Sequence, residues 1–294
     1  MSSLVEAWRR RGHDRLLCGQ RIFAVDIPCS GIESAPPLVV LHGFPTSSFD
    51  FHQVVDALAV DRRVILFDML GFGLSAKPDR PYRLVDQADF AVALLEELGV
   101  DRFGLLTHDI GDTVGGELLA RQIEGTWDVE VTDRTLTNGT IFMDLVHLTE
   151  GQKLLEALPD ERLDPGVLGR DGVVSSLVAT FSPDADVATE EIEAVWELIS
   201  GEEGERLLPR LARYIEERRQ HQDRFTPPLV DHPSPLTVVW GVDDPIAGPA
   251  MAERLAQSRP DARVVLLDGV GHYPMVEAPE RFLAALEGPS LTTC

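Results

Sequence analysis

The sequence predicts an α/β protein: a mostly parallel, twisted sheet flanked by helices and interrupted by a helical insertion. Three observations carry that reading. Short apolar, β-branched runs alternate with amphipathic helical stretches on both sides of a long interval. Within that interval, residues 141–235, strand signals vanish and helical patterns follow one another. Three of the strand-like runs end in turns that carry ionisable or glycine-rich motifs, where ligands bind in sheets of this kind.

Taken in order, residues 21–27, 38–41, 63–67, 103–106 and 134–137 read as strands of the first part. Between them, residues 85–98 form the clearest helix, with Ala88, Phe90, Ala91, Ala93, Leu94, Leu95 and Leu98 in one broad apolar stripe and Gly99 as its stop. A further helix is expected through 113–121. Alternation of this kind builds a parallel sheet covered on both faces. In the insertion, residues 148–158, 173–181, 190–199 and 206–219 carry helical periodicity. Pro227-Pro228 and Pro233-Ser234-Pro235 punctuate the return, and strands at 236–240 and 264–267 and a helix at 279–286 complete the chain. The expected organisation is therefore core (1–140), cap (141–235), core (236–294).

Composition narrows the function. The 294 residues carry a formal net charge of −23, and Lys77 and Lys153 are the only lysines. With no basic stripe to neutralise phosphates, nucleic acid is not an expected partner. No apolar run of membrane-spanning length occurs, so no membrane partner is expected either. Cys18, Cys29 and Cys294 are too few and scattered for a disulfide framework, which points to a reducing compartment, the cytoplasm by default. Arg9-Arg10-Arg11 precedes Gly12-His13-Asp14-Arg15 rather than the apolar stretch of an export signal. A small-molecule substrate is the expected partner. A homodimer and a monomer both stay open.

The chemistry lies in three segments of fixed order: His42-Gly43-Phe44-Pro45, Thr107-His108-Asp109-Ile110-Gly111, and Gly271-His272. Strand, sharp turn, nucleophile, helix is the layout of a nucleophile elbow, with aspartate in the place of serine. Asp109 sits where a helix N-terminus favours its ionised form, and Asp112 is expected to serve as the N-cap, leaving Asp109 free for chemistry. Thr107 replaces the first glycine of the usual elbow, so its β-branched side chain must find room. His272 would act as general base on water. Gly241-Val242-Asp243-Asp244-Pro245 offers the acid that orients it, with Asp244 the first choice and Asp243 the alternative. Asn138 ranks below both, because an amide supplies no charge. The backbone N–H groups of Phe44 and Ile110 are candidates for an oxyanion hole. His42 and Asp68 read as structural.

These segments resemble the α/β-hydrolase superfamily, in its aspartate-nucleophile branch of epoxide hydrolases and haloalkane dehalogenases, over about residues 21–286. The stretch from Leu41 to Phe51, His108-Asp109-Ile110-Gly111-Asp112 and Gly271-His272-Tyr273-Pro274 are similar to the mesoderm-specific-transcript type. The resemblance implies two steps. Asp109 attacks an sp³ carbon to give an alkyl-enzyme ester, and water activated by His272 then hydrolyses it, with no metal or organic cofactor. It also implies leaving-group chemistry that this chain meets unevenly. Dehalogenases place a tryptophan after the nucleophile and an asparagine after His-Gly, where this chain has Ile110 and Phe44, leaving Trp196 in the cap as a substitute donor. Epoxide hydrolases use two cap tyrosines, where this chain offers Tyr214, with His147 as a second donor. Epoxide opening is thus the first expectation and dehalogenation the alternative. A non-catalytic small-ligand-binding protein of the same fold is the alternative of another class.

Overall fold

In the computed structural model, which describes residues 1–287, eight strands form one sheet in the order β1-β2-β4-β3-β5-β6-β7-β8. The strands are β1 (Gly12–Leu17), β2 (Gln20–Ile27), β3 (Leu38–Leu41), β4 (Val64–Phe67), β5 (Arg102–His108), β6 (Glu130–Thr137), β7 (Leu236–Gly241) and β8 (Arg263–Leu267). From β4 to β8 every pairing is parallel, whereas β1 pairs with β2, and β2 with β4, antiparallel. β1 is an addition to the expected elements. Of its six residues only Gly12 and Leu17 are buried, so it lacks the apolar alternation that marks a strand. It is held as the outer arm of a hairpin whose turn residues, Cys18 and Gly19, both have positive φ.

Successive residues of the inner strands feed opposite cores. Val39, Leu41, Ile65 and Phe67 join one apolar cluster, and Leu38, Val40, Val64 and Leu66 the other. Helices α1 (Ser3–Arg9), α2 (Val55–Leu58), α3 (Leu84–Glu97), α4 (Ile110–Ile123), α10 (Pro249–Ser258), α11 (Pro274–Glu277) and α12 (Pro279–Glu287) accompany the sheet. Both faces are therefore covered, as a sheet of continuously apolar strands requires.

Between β6 and β7 the chain forms α5 (Glu150–Ala157), α6 (Arg170–Val178), α7 (Thr189–Ser200), α8 (Leu208–Leu211) and α9 (Tyr214–Asp231). A capping box, with Thr149 and Gln152 satisfying each other's backbone N–H groups, starts α5. Pro227 and Pro228 lie inside α9 rather than in a linker, and the helix is kinked at His221 instead. Packing along α4, the helix that follows Asp109, keeps the tail of α9 helical past the prolines. The segment expected to lead back to the core is thus itself a layer of it.

Candidate active site

β5 delivers Asp109 to a sharp turn. Its backbone adopts φ 51° and ψ −116°, a strained conformation for a residue with a Cβ, and α4 begins at the next residue. Although Asp109 occupies the N-cap position, its carboxylate makes no capping bond. It turns instead toward the end of β3, where the Phe44 N–H donates to Oδ2 at 2.9 Å. Gly43 permits this approach, since a Cβ there would lie 2.8 Å from both Asp109 Cβ and His108 Nδ1.

Asp112 does not cap α4. Its buried carboxyl accepts a bond from Thr107 Oγ1, and burial holds its pKa well above the usual range. That bond also accounts for the threonine at the elbow. The Thr107 hydroxyl is taken up by Asp112, and its methyl packs over Gly115, where a Cβ would come within 3.0 Å of it. The missing first glycine is offset by a glycine one turn into the helix.

His272 comes from the loop after β8, and its Nε2 lies 4.0 Å from Asp109 Oδ2. On the other side of the ring, Nδ1 donates to Asp244 Oδ2 at 2.7 Å, while Asp243 is exposed. Asp244 Oδ1 accepts from the N–H groups of Ile246 and Ala247 at 2.7 and 3.1 Å. Burial would raise the Asp244 pKa, but the His272 charge and these hydrogen bonds hold it below the usual range. Burial would likewise lower that of His272, but the Asp244 charge and bond, with Asp109 beyond, push it up to about 9. Both shifts favour an imidazolium between two carboxylates.

Asn138 has a larger part than its neutral amide suggests. At φ 46° its Nδ2 donates to Asp244 Oδ2 at 2.8 Å and to Gly241 O at 3.1 Å, and its Oδ1 accepts from Gly241 N at 2.9 Å. It orients the carboxylate that orients the histidine. His108 Nε2–H donates to the His272 carbonyl at 2.8 Å, and burial keeps His108 neutral by lowering its pKa to about 3. His42 and Asp68 hold backbone: His42 Nε2 accepts from Met69 N, and Asp68 accepts from the N–H groups of Ser48 and Leu74.

Above the strand ends lies a cavity of about 400 Å³, within the range of small-molecule sites. Its floor includes Phe44, His272 and Tyr273, and the insertion supplies most of its wall, with Gln152, Leu155, Leu177 and Thr180 among the lining. The other expected residues fall differently. Tyr214 is buried with its ring centroid 5.3 Å from that of Phe44, and its hydroxyl accepts from Gln152 Nε2 at 3.2 Å. Trp196 is half-buried against the apolar core and, like Tyr214, does not line the cavity, but unlike Tyr214 it has no ring contact with Phe44. His147 is exposed and holds only a backbone bond to Ile246 O. Neither therefore stands where a leaving-group donor would. Ile110 is the first residue of α4, and only the Phe44 amide bonds the Asp109 carboxylate among the described residues. Cys294 lies outside the described residues, and Cys18 and Cys29 are free thiols. No helix among the described residues is long and apolar enough to cross a membrane.

A parallel sheet with an elbow after its central strand, a histidine after its last one, and a helical insertion over both defines an α/β hydrolase. The chain belongs to the alpha/beta hydrolase family, whose pattern matches residues 38–285. Among its relatives, the Mycobacterium tuberculosis protein LipZ, which carries the name of a hydrolase, is 37% identical over 258 residues, covering 87% of this chain and 88% of its own. The mesoderm-specific transcript protein of Mus musculus is 33% identical over 305 residues, covering 98% and 88%. Among solved structures, the haloalkane dehalogenase DbeA of Bradyrhizobium elkani superposes with a TM-score of 0.73 at 23% identity, covering 94% and 95%.

Proposed function

We propose that this hydrolase acts on small, largely apolar electrophiles, epoxides foremost, through a covalent alkyl ester on Asp109, with His272 and Asp244 completing the machinery. One observation carries the reading: a strained aspartate at the elbow that declines its capping role and aims a buried carboxylate at the Phe44 N–H and at His272. In the first step an Asp109 oxygen bonds the substrate carbon and the C–O bond breaks, its electron pair staying on oxygen. The other carboxylate oxygen already rests on the Phe44 amide, the position the ester carbonyl and then the tetrahedral oxyanion need.

The electrostatics suit two steps. While Asp109 is charged, it helps keep His272 protonated. Once it is esterified that charge is gone, the imidazolium loses one of its two counter-charges, and its pKa falls toward that of a usable base. The imidazolium sheds its Nε2 proton to solvent in the cavity, and the neutral ring then takes a proton from the water that attacks the ester carbonyl.

For the leaving oxygen, Tyr214 stands beside Phe44 as a phenol whose lone pair is occupied by Gln152 and whose proton finds no acceptor among the described residues. A halide would need donors where this chain has the side chains of Phe44 and Ile110, and Trp196 stands away from the cavity. Two free thiols fit a reducing, cytoplasmic setting. Intact-mass measurement of the His272→Gln variant with pooled epoxides and haloalkanes tests this reading. A stable adduct on Asp109 equal to a full epoxide mass is expected. A haloalkane adduct alone would replace epoxide by halide chemistry, and no adduct on the folded variant would overturn the reading.

A further inference from the structure

Asp50 is a buried carboxyl without a structural explanation. It is 2% exposed, its Oδ2 lies 2.5 Å from Thr46 Oγ1, and its Oδ1 has no hydrogen-bond partner among the described residues. It borders a second, smaller cavity of about 20 Å³, otherwise mostly apolar and closed at its far side by the His52–Glu191 pair at 3.1 Å. Tyr273 and Leu177 form the partition, since both line this cavity and the 400 Å³ one. Thr46, Asp50 and Tyr273 line the small cavity together, and the Tyr273 hydroxyl donates to the Phe44 carbonyl at 3.2 Å. A chain of exchangeable protons thus runs Asp50–Thr46–Tyr273 and ends against the residue whose amide holds Asp109.

We propose that Tyr273 is a second acid of this site, a catalytic phenol from the core rather than the cap, recharged with protons by Asp50 through Thr46. The proposal rests on the reading of Asp109 as nucleophile. The Tyr273–Phe44 bond is long for an O–H···O contact, so the phenol can exchange it for a shorter bond to an oxygen gaining charge. Asp50 suits a reservoir. Burial first, then the charges of Asp68 and Asp109, outweigh the Thr46 bond and the His272 charge and push its pKa up to about 8, so it holds a proton at neutral pH. The titratable groups facing it are those three, Tyr273, and His52 and Glu191 across the small cavity.

The protons balance. As Asp109 opens the epoxide, Tyr273 O–H protonates the new alkoxide, Thr46 O–H restores the phenol, and the Asp50 carboxyl restores Thr46, leaving Asp50 ionised. Hydrolysis of the ester consumes one water. One of its protons ends on the product alcohol, and the other, shed as Asp109 re-ionises, returns to Asp50. The net reaction is epoxide plus water to diol.

Alkyl bromides give the control, because bromide leaves without a proton and is a good enough leaving group to be displaced, more slowly, where halide donors are absent. In the His272→Gln background, ester formation on Asp109 is timed by mass spectrometry with a terminal epoxide and with the 1-bromoalkane of the same chain length. Tyr273→Phe is expected to slow the epoxide reaction about 100-fold, at the low end for a positioned acid, and Asp50→Asn about 10-fold, with the bromoalkane rate unchanged. The epoxide rate should also fall at alkaline pH, at or above the value of about 8 that Asp50 has with the His272 charge present, and Asp50→Asn should remove that limb. Equal slowing of both substrates would assign these residues a merely structural role and overturn the proposal, as would no slowing of the epoxide. If the parent His272→Gln variant forms no ester with either substrate, the reading of Asp109 falls and this inference falls with it.

Discussion

The catalytic floor and the helical insertion meet at one cavity but are built by different rules. On the floor, Asp109, Asp244, His272 and Asn138 sit at strand ends, each buried and each aimed by specific hydrogen bonds. The wall from the insertion is mostly apolar, with Leu154 and Val167 each 53% exposed at its rim. It reaches the floor through a few backbone contacts, such as the His272 N–H donating to Thr180 O at 3.0 Å and the Ser182 N–H donating to Glu277 at 2.8 Å. On the proposed reading, the floor fixes which bond is made and broken. The wall fixes what fits above it. Substitutions on the two sides should therefore separate, with floor changes acting on the chemical step and wall changes on binding.

The largest expected effect is that of Asp109→Asn. Removing the attacking oxygen should lower kcat/KM on the order of 10³-fold or more, while substrate binding and the unfolding midpoint change little, because the side chain caps nothing. Retained turnover would break the division at its root.

Asn138→Ala comes next and tests whether the floor depends on support behind the reacting groups. It strips one bond from the Asp244 carboxylate, leaves Gly241 N–H without its acceptor, and puts alanine at φ 46°. A stability loss of roughly 2–4 kcal/mol follows, read by urea unfolding. Activity should fall about 10- to 100-fold, and Asn138→Asp should not restore it, since a second carboxylate beside Asp244 replaces a donor by a like charge.

How much of this was legible follows the same division. The floor residues lie in short motifs directly after strand-like runs, so His42-Gly43-Phe44-Pro45, Asp109 and Gly271-His272 could be read locally. What holds them in place could not. Asn138 looked dispensable because its partners, Gly241 and Asp244, come from the far side of the insertion. Thr107 looked out of place until Asp112 and Gly115 were brought against it. Asp50 and Tyr273 are more than two hundred positions apart, and nothing in either segment announces the other. In the insertion the helical periods were readable, but Trp196 and His147 could not be excluded from the cavity, since packing decides which face of a helix turns inward and where the stretch before α5 runs. β1 escaped notice because an edge strand with two buried residues carries no pattern, and Pro227-Pro228 misled because α4 holds the end of α9 in place.

Tyr214→Phe sits on the boundary between floor and wall, and its effect should be intermediate. The phenylalanine keeps the ring against Phe44 and removes only the proton and the Gln152 bond. Epoxide turnover should fall about tenfold, below the usual range for a lone acid because Tyr273 remains. The matched bromoalkane should react at the parent rate, as its leaving group needs no proton. If both substrates slow alike, Tyr214 belongs with the wall.

The smallest effect is expected at the rim, where Leu154→Ala asks whether the wall acts on binding alone. Leu154 lines the cavity yet is more than half exposed, so folding draws little from it and unfolding should move by no more than about 0.5 kcal/mol. A long apolar substrate would lose part of one leucine's contact, roughly 0.5–1 kcal/mol, or two- to fivefold in KM. A short substrate that does not reach the rim should not notice, and kcat should stay constant for both. A fall in kcat would mean that closure of the insertion over the floor is coupled to the chemical step, and the two regions would then have to be treated as one device.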